Sequence, residues 1–133
     1  MASTEGSSVW CCNCNSYTVA ELLPGSVVYT GRPDLAARGF WRCPECRRSV
    51  GHNTRTGDPL GCIPTPEISK MRMLIHSIID PLWQQKILKR RDIYAHLSKI
   101  LGREYHTADL RTVEECARIR RAAMELAKGA NNA

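Results

Sequence analysis

A single phenylalanine, Phe40, stands among 133 residues, so large aromatic packing falls to Trp10, Trp41 and Trp83. No stretch of the chain approaches the ~20 apolar residues that a membrane-crossing helix needs, which excludes that class. The opening Met1-Ala2-Ser3-Thr4-Glu5-Gly6-Ser7-Ser8 lacks the apolar core of a signal peptide. The seven cysteines are an odd number, so they cannot all be paired as disulfides within one chain. These absences predict a soluble protein of a reducing compartment, the cytoplasm. Acidic residues are also in deficit, 13 against 19 Lys and Arg, for a net charge of +6.

What is present is a pair of C-x-x-C hooks, Cys11-Cys12-Asn13-Cys14 and Cys43-Pro44-Glu45-Cys46. A C-x-x-C turn points two sulfurs to one side of a tight loop. Two such loops facing each other surround one soft divalent ion, the ligand set of a tetrahedral structural zinc site. Cys11, Cys14, Cys43 and Cys46 are the predicted ligands of one zinc ion. With all four positions filled by the protein, the ion does no chemistry of its own. Cys12 inside the first hook would leave one intervening residue if it replaced Cys11, a strained register. Cys62 and Cys116 lie in apolar settings and read as small buried hydrophobes.

Between the hooks, Ser16–Leu22 and Val27–Thr30 read as strands separated by the Pro24-Gly25 turn, with one helical turn over Asp34–Arg38. Phe40-Trp41-Arg42 runs as a strand into the second hook, and Ser49-Val50-Gly51 leaves it. The expected fold is α+β: a Cys₄ zinc ribbon with a small antiparallel sheet over residues 9–52, packed on a bundle of three to four short helices over residues 66–128. Residues 53–65 form the connecting loop, and residues 1–8 and 129–133 are disordered tails.

After Thr65-Pro66 the apolar period changes from two to about 3.6. Ile68, Met71, Leu74, Ile75, Ile78 and Ile79 form the first stripe. Asp80-Pro81 reads as a helix break, with Asp80 capping a second helix whose Leu82, Trp83, Ile87 and Leu88 face inward. Ile93, Tyr94, Leu97, Ile100 and Leu101 make the next stripe, closed by Gly102. Thr112-Val113-Glu114-Glu115 is a capping box for the last helix. Charge is uneven: residues 1–66 carry six basic and five acidic groups, and residues 67–133 carry thirteen and eight. Four thiolates and a dication would leave the first half slightly negative, so the positive field belongs to the second half.

Several segments together carry a family resemblance: the two hooks, Trp41-Arg42-Cys43, Val50-Gly51-His52 and Asp58-Pro59-Leu60-Gly61. With them go Arg72, His76, Asp80 and Trp83, then Arg91, Tyr94 and Leu97, and His106 and Cys116. In this combination the chain resembles the zinc-finger-containing domain proteins encoded mostly by bacteriophages and prophages. The resemblance implies a phage or prophage origin, hence a bacterial host's cytoplasm, and a ribbon followed by helices. It implies no activity, so function is read from the residues.

Three basic sets are candidates for contact with nucleic acid: Arg42, Arg47 and Arg48 at the second knuckle; Lys86, Lys89 and Arg90, with Arg91; and Arg118, Arg120 and Arg121. Phe40 or Trp41 is a candidate stacking surface beside the first set. Arg72, His76 and Asp80 recur every four residues and share a helix face, and His52 lies in the polar loop after the second hook. The favoured reading is a non-catalytic zinc protein that binds nucleic acid, DNA before RNA, in regulation or DNA metabolism. A protein-binding inhibitor or modulator of a host enzyme is the alternative. A third reading is an HNH-like metal-dependent nuclease using His52 and His76, but the dense His-Asn-His cluster of such sites is missing.

Overall fold

The computed structural model describes residues 6–131, divided into two compact units, Met1–Thr65 and Pro66–Ala133. Of the expected tails, residues 1–5 and 132–133 lie outside the described residues. The remainder is ordered, since Ser7 opens a strand and the last helix runs to Asn131.

The first unit is a four-stranded antiparallel sheet, β1 (Ser7–Cys11), β2 (Ser16–Pro24), β3 (Gly39–Arg42) and β4 (Ser49–Gly51), in that order. The sheet curls because β2 serves two partners in turn. Its Ser16–Ala20 half pairs with β1, and its Glu21–Pro24 half pairs with β3. Strand alternation sends Val9, Cys11, Ala20, Trp41 and Cys43 to one face, where they form the buried core with Ile63.

Two local expectations fail here. Val27–Thr30 is not a strand. Gly25 sits so close to the Leu35 carbonyl that a Cβ would approach it to 1.8 Å, and Gly25–Val28 winds into one helical turn, α1. Tyr29 then lays its ring edge against Phe40, centroids 4.9 Å apart. Residues 53–65, expected as a mere connector, belong to the ribbon. Asn53 accepts from the N–H groups of Arg55 and Thr56 to tie a tight turn. The segment then returns along β1, where Ile63 N–H donates to the Trp10 carbonyl and the Cys12 N–H donates to the Ile63 carbonyl, both at 2.8 Å. The fully buried Ile63 side chain closes the core from that edge.

The second unit holds α2 (Pro66–Gln84), α3 (Arg90–Leu101) and α4 (Val113–Asn131), with α4 packed against both others. The break expected at Asp80-Pro81 does not occur: Pro81 lies inside α2. A proline there costs ~3 kcal/mol of helix propensity. The buried stripe Ile68, Arg72, Ile75, Ile79 and Leu82 runs through it unbroken, so burial on both sides of Pro81 outweighs the local cost. Helix α2 ends instead with Lys86 in the left-handed region, φ 59°. The Ile87 N–H donates to the Leu82 carbonyl and the Lys86 N–H to the Trp83 carbonyl, the hydrogen-bond pattern of a Schellman end. Leu74, Ile87 and Ile100, expected to face inward, are 41%, 42% and 40% exposed.

Gly102 closes α3 at φ 84°, and the Thr112 hydroxyl accepts from the Glu115 N–H to cap α4. The reciprocal half of that capping box is diverted. The Glu115 carboxylate takes the Arg111 N–H at 2.9 Å and a two-pronged contact from Arg103 at 2.7 and 3.2 Å. The Arg103 guanidinium holds the Glu115 carboxyl below its ordinary range. Tyr105 is buried with its hydroxyl against that of Thr107, and burial pushes its phenol up to about 12.

Candidate metal centre and basic surfaces

Each hook is built in the same way. The residue after its second cysteine, Asn15 or Arg47, takes a left-handed backbone, φ 57° and 66°. Its N–H donates to the carbonyl of the first cysteine, Asn15 to Cys11 and Arg47 to Cys43, both at 2.8 Å. This folds each C-x-x-C into a knuckle with its sulfurs on one side and its amides turned toward them, as where Cys14 N–H lies 3.5 Å from Cys11 Sγ.

The four sulfurs of Cys11, Cys14, Cys43 and Cys46 lie within 4.8 Å of one another. Across the hooks, Cys11 and Cys46 are 3.5 Å apart and Cys14 and Cys43 are 3.8 Å apart. A tetrahedral zinc–thiolate centre with ~2.3 Å bonds has sulfur–sulfur edges of ~3.8 Å, so the set fits the ion. The electrostatics agree. Desolvation, then the sulfurs of Cys43, Cys11 and Cys46, push Cys14 up to about 12. Burial likewise raises Cys43, but the backbone N–H groups of Cys46 and Glu45 and the Thr18 hydroxyl outweigh it and hold Cys43 at about 7. Thiolates crowded this closely require a cation among them. Zinc bound by these residues supplies a cross-link between β1–β2 and β3–β4, and no open coordination position.

Cys12 lies outside this group, half-buried, its backbone tied to the strap at Ile63. Cys12→Ser should therefore keep close to one zinc per chain by elemental analysis, and Cys11→Ser should lose it. The reverse outcome would show that the first hook is read in the wrong register. Cys62 and Cys116 are buried, as their apolar settings predict.

Residues 7–126 match the family described as the zinc-finger-containing domain. The chain belongs to that family. The matched span begins at the first residue of β1 and ends within α4, so the family unit includes the hooks, the Ile63 strap and the helices. No curated protein and no solved structure matches the chain.

The polar groups expected to cluster are distributed among separate roles. In the first unit, His52 Nδ1 lies 2.9 Å from the Gly39 carbonyl, with its ring against Gly39. In the second, Arg72 is buried and donates from a guanidinium nitrogen to the Leu110 carbonyl at 2.6 Å. Asp80, expected to cap a helix, accepts from Trp83 Nε1 at 3.1 Å and lies 3.3 Å from His76 Nδ1. Among the described residues, the hook cysteines are the one group of three or more His, Cys, Asp or Glu placed to hold a metal. His52 and His76 thus have local packing and hydrogen-bonding partners.

The basic sets also sort themselves. At the knuckle Arg42 is half-buried in β3, in register with Glu21, and Arg48 is half-buried with its Nε fully enclosed. Arg47 alone of the three is exposed. Phe40 and Trp41 are both buried, and Trp41 Nε1 donates to the Gly57 carbonyl, so neither offers a stacking face. In the helical unit Arg118 is tied to the Ile100 carbonyl at 2.7 Å. Lys86, Lys89 and Arg90 are exposed together at the turn between α2 and α3. Sequence reasoning missed the aromatic company of this turn. The Arg90 guanidinium lies 4.5 Å over the Tyr94 ring and 5.5 Å over the Trp83 ring, and donates to the Tyr94 hydroxyl. The i, i+4 spacing of Arg90 and Tyr94 was the available signal. It was masked by the expected helix break ahead of Trp83.

Proposed function

We propose that the protein is a non-catalytic, zinc-scaffolded module that binds nucleic acid, DNA before RNA, in regulation or DNA metabolism. The supporting observation is the α2–α3 turn. Lys86, Lys89 and Arg90 crowd there, exposed, and among the described residues none pairs with a carboxylate. Three arginines elsewhere have partners: Arg32 has Asp34, Arg103 has Glu115, and Arg72 has the Leu110 carbonyl. The charge surplus of residues 67–133 points the same way. The exposed Arg47 adds a lesser contact from the ribbon. The motif resemblance to phage- and prophage-encoded proteins supports action in a bacterial host's cytoplasm.

Fluorescence anisotropy against DNA over a range of salt concentrations tests this. Lys86→Gly with Lys89→Ala suits the purpose, because glycine keeps the left-handed helix end while removing the charge. The double variant should be at least as thermally stable as the wild type, since glycine relieves the left-handed strain at position 86. Its affinity for duplex DNA should fall about tenfold or more, and its salt slope should drop by roughly 1.8, about 0.9 for each lost phosphate contact. Absence of any wild-type binding to DNA or RNA at low salt would remove this reading.

A second reading, a protein-binding inhibitor or modulator of a host enzyme, draws on the exposed face of the ribbon's own sheet. Tyr17 and Val19 on β2 are 61% and 65% exposed beside the Trp10 ring. In that case a stoichiometric protein partner should survive nuclease treatment and be lost from Tyr17→Ser/Val19→Ser.

A further inference from the structure

We infer that the α2–α3 turn receives one unpaired nucleotide, with its base against Trp83 and its phosphate among Lys86, Lys89 and Arg90; this rests on the nucleic-acid reading. The turn carries an open cleft of about 540 Å³ lined by Trp83, Lys86, Ile87, Leu88, Lys89 and Arg90. That volume lies in the ~300–1,000 Å³ range of small-ligand sites. The lining divides by chemistry. Trp83, Ile87 and Leu88 supply aromatic and aliphatic surface for a base, and Lys86, Lys89 and Arg90 supply cations for its phosphate, Arg90 from over one face of the Trp83 ring.

Two features show a site held in place. The Trp83 indole is fixed by its hydrogen bond to Asp80, and Arg90 is held against Tyr94 by stacking and by the hydroxyl contact, so neither must be ordered on binding. Lys86 occupies a left-handed position, φ 59°, that glycine fills without the steric penalty of an L side chain. The lysine stands there despite that cost, and it lines the cleft. The start of α3 adds to the field: Lys89 occupies its N-cap without a capping side chain, at the positive end of the helix dipole.

A base in a duplex is stacked on its neighbours and cannot lie against Trp83. One freed from the stack can, and stacking on an aromatic ring then adds to its affinity whatever the base. The cleft therefore selects single strands, loops or displaced bases over intact duplex.

The full zinc-loaded chain should be titrated with a ten-nucleotide oligo(dT) strand, a blunt twelve-base-pair duplex and inorganic phosphate, with NMR following the indole N–H signals. The strand should bind at least tenfold more tightly than the duplex and move the Trp83 signal. Trp83→Ala should cut strand affinity about tenfold and leave duplex affinity alone, and Trp83→Phe should restore part of the loss. The wild-type indole shift decides the matter even if the alanine variant misfolds. Equal affinity for strand and duplex, with Trp83 unmoved, overturns the single-nucleotide inference and leaves nucleic-acid binding standing. A Trp83 shift with inorganic phosphate but none specific to the strand reduces the cleft to an anion site and also overturns it. Binding to neither strand nor duplex overturns the parent reading as well.

Discussion

Stripping zinc with a chelator should unfold the ribbon and leave α2, α3 and α4 folded. The core cluster of the first unit is Val9, Cys11, Ala20, Trp41, Cys43 and Ile63, two of them metal ligands, with Phe40 and Cys62 also buried in the unit. So small a sheet buries too little apolar surface to hold itself together. A structural zinc contributes an apparent ~10–16 kcal/mol near neutral pH, more than the ribbon's whole margin of stability. Amide exchange resolves the outcome by residue: protection should vanish from β1–β4 and persist in the helices. Cys43→Ser should give the same pattern without chelator, and the untreated protein should contain close to one zinc per chain. Retention of the sheet after metal loss would show that the core, and not the ion, carries the ribbon.

Arg72→Ala should strongly destabilise the helical unit. Arg72 is 8% exposed and carries a charge-assisted hydrogen bond to the Leu110 carbonyl, joining α2 to the segment that leads into α4. Truncation removes the bond, leaves that carbonyl short of a donor and opens a cavity. Together these cost about 3 kcal/mol, a fall in melting temperature of roughly 12–24 °C for a unit of this size. Arg72→Met keeps much of the stem's packing and should lose about half as much. Circular dichroism melts of the zinc-loaded chain measure both. Equal losses in the two variants would show that packing is minor and the hydrogen bond is the whole effect.

The zinc set was legible because ligand spacing is a local property: a C-x-x-C turn aims its sulfurs whatever surrounds it. The strand entering the second hook, the start of α2 at Pro66 and the cap at Thr112 were legible for the same reason. What escaped depended on distant partners. Nothing local in Ser7-Ser8-Val9 marks a strand; it becomes one by pairing with Val19 and Ala20. Ile63 sits in a loop-like composition and is recruited by the free edge at Trp10. Val27-Val28-Tyr29 has strong strand propensity, overridden by the close approach at Gly25. Asp80-Pro81 carries a genuine stop signal, outweighed by burial of Ile79 and Leu82. The basic turn was visible as charge, but its cleft required knowing that α2 runs on past Pro81.

The Ile63 strap also imposes an order of events on a chain emerging from the ribosome. Both hooks are complete once Cys46 is free, so metal capture does not await the residues that follow. The edge of β1 at Trp10 and Cys12 stays open until Ile63 emerges, about one to four seconds later at ~5–20 residues per second. In that interval a metal-loaded ribbon displays an unpaired strand edge, the feature through which nascent sheets join one another. Truncations ending at residue 52 would freeze the protein in that open form, whereas those ending at Thr65 would not.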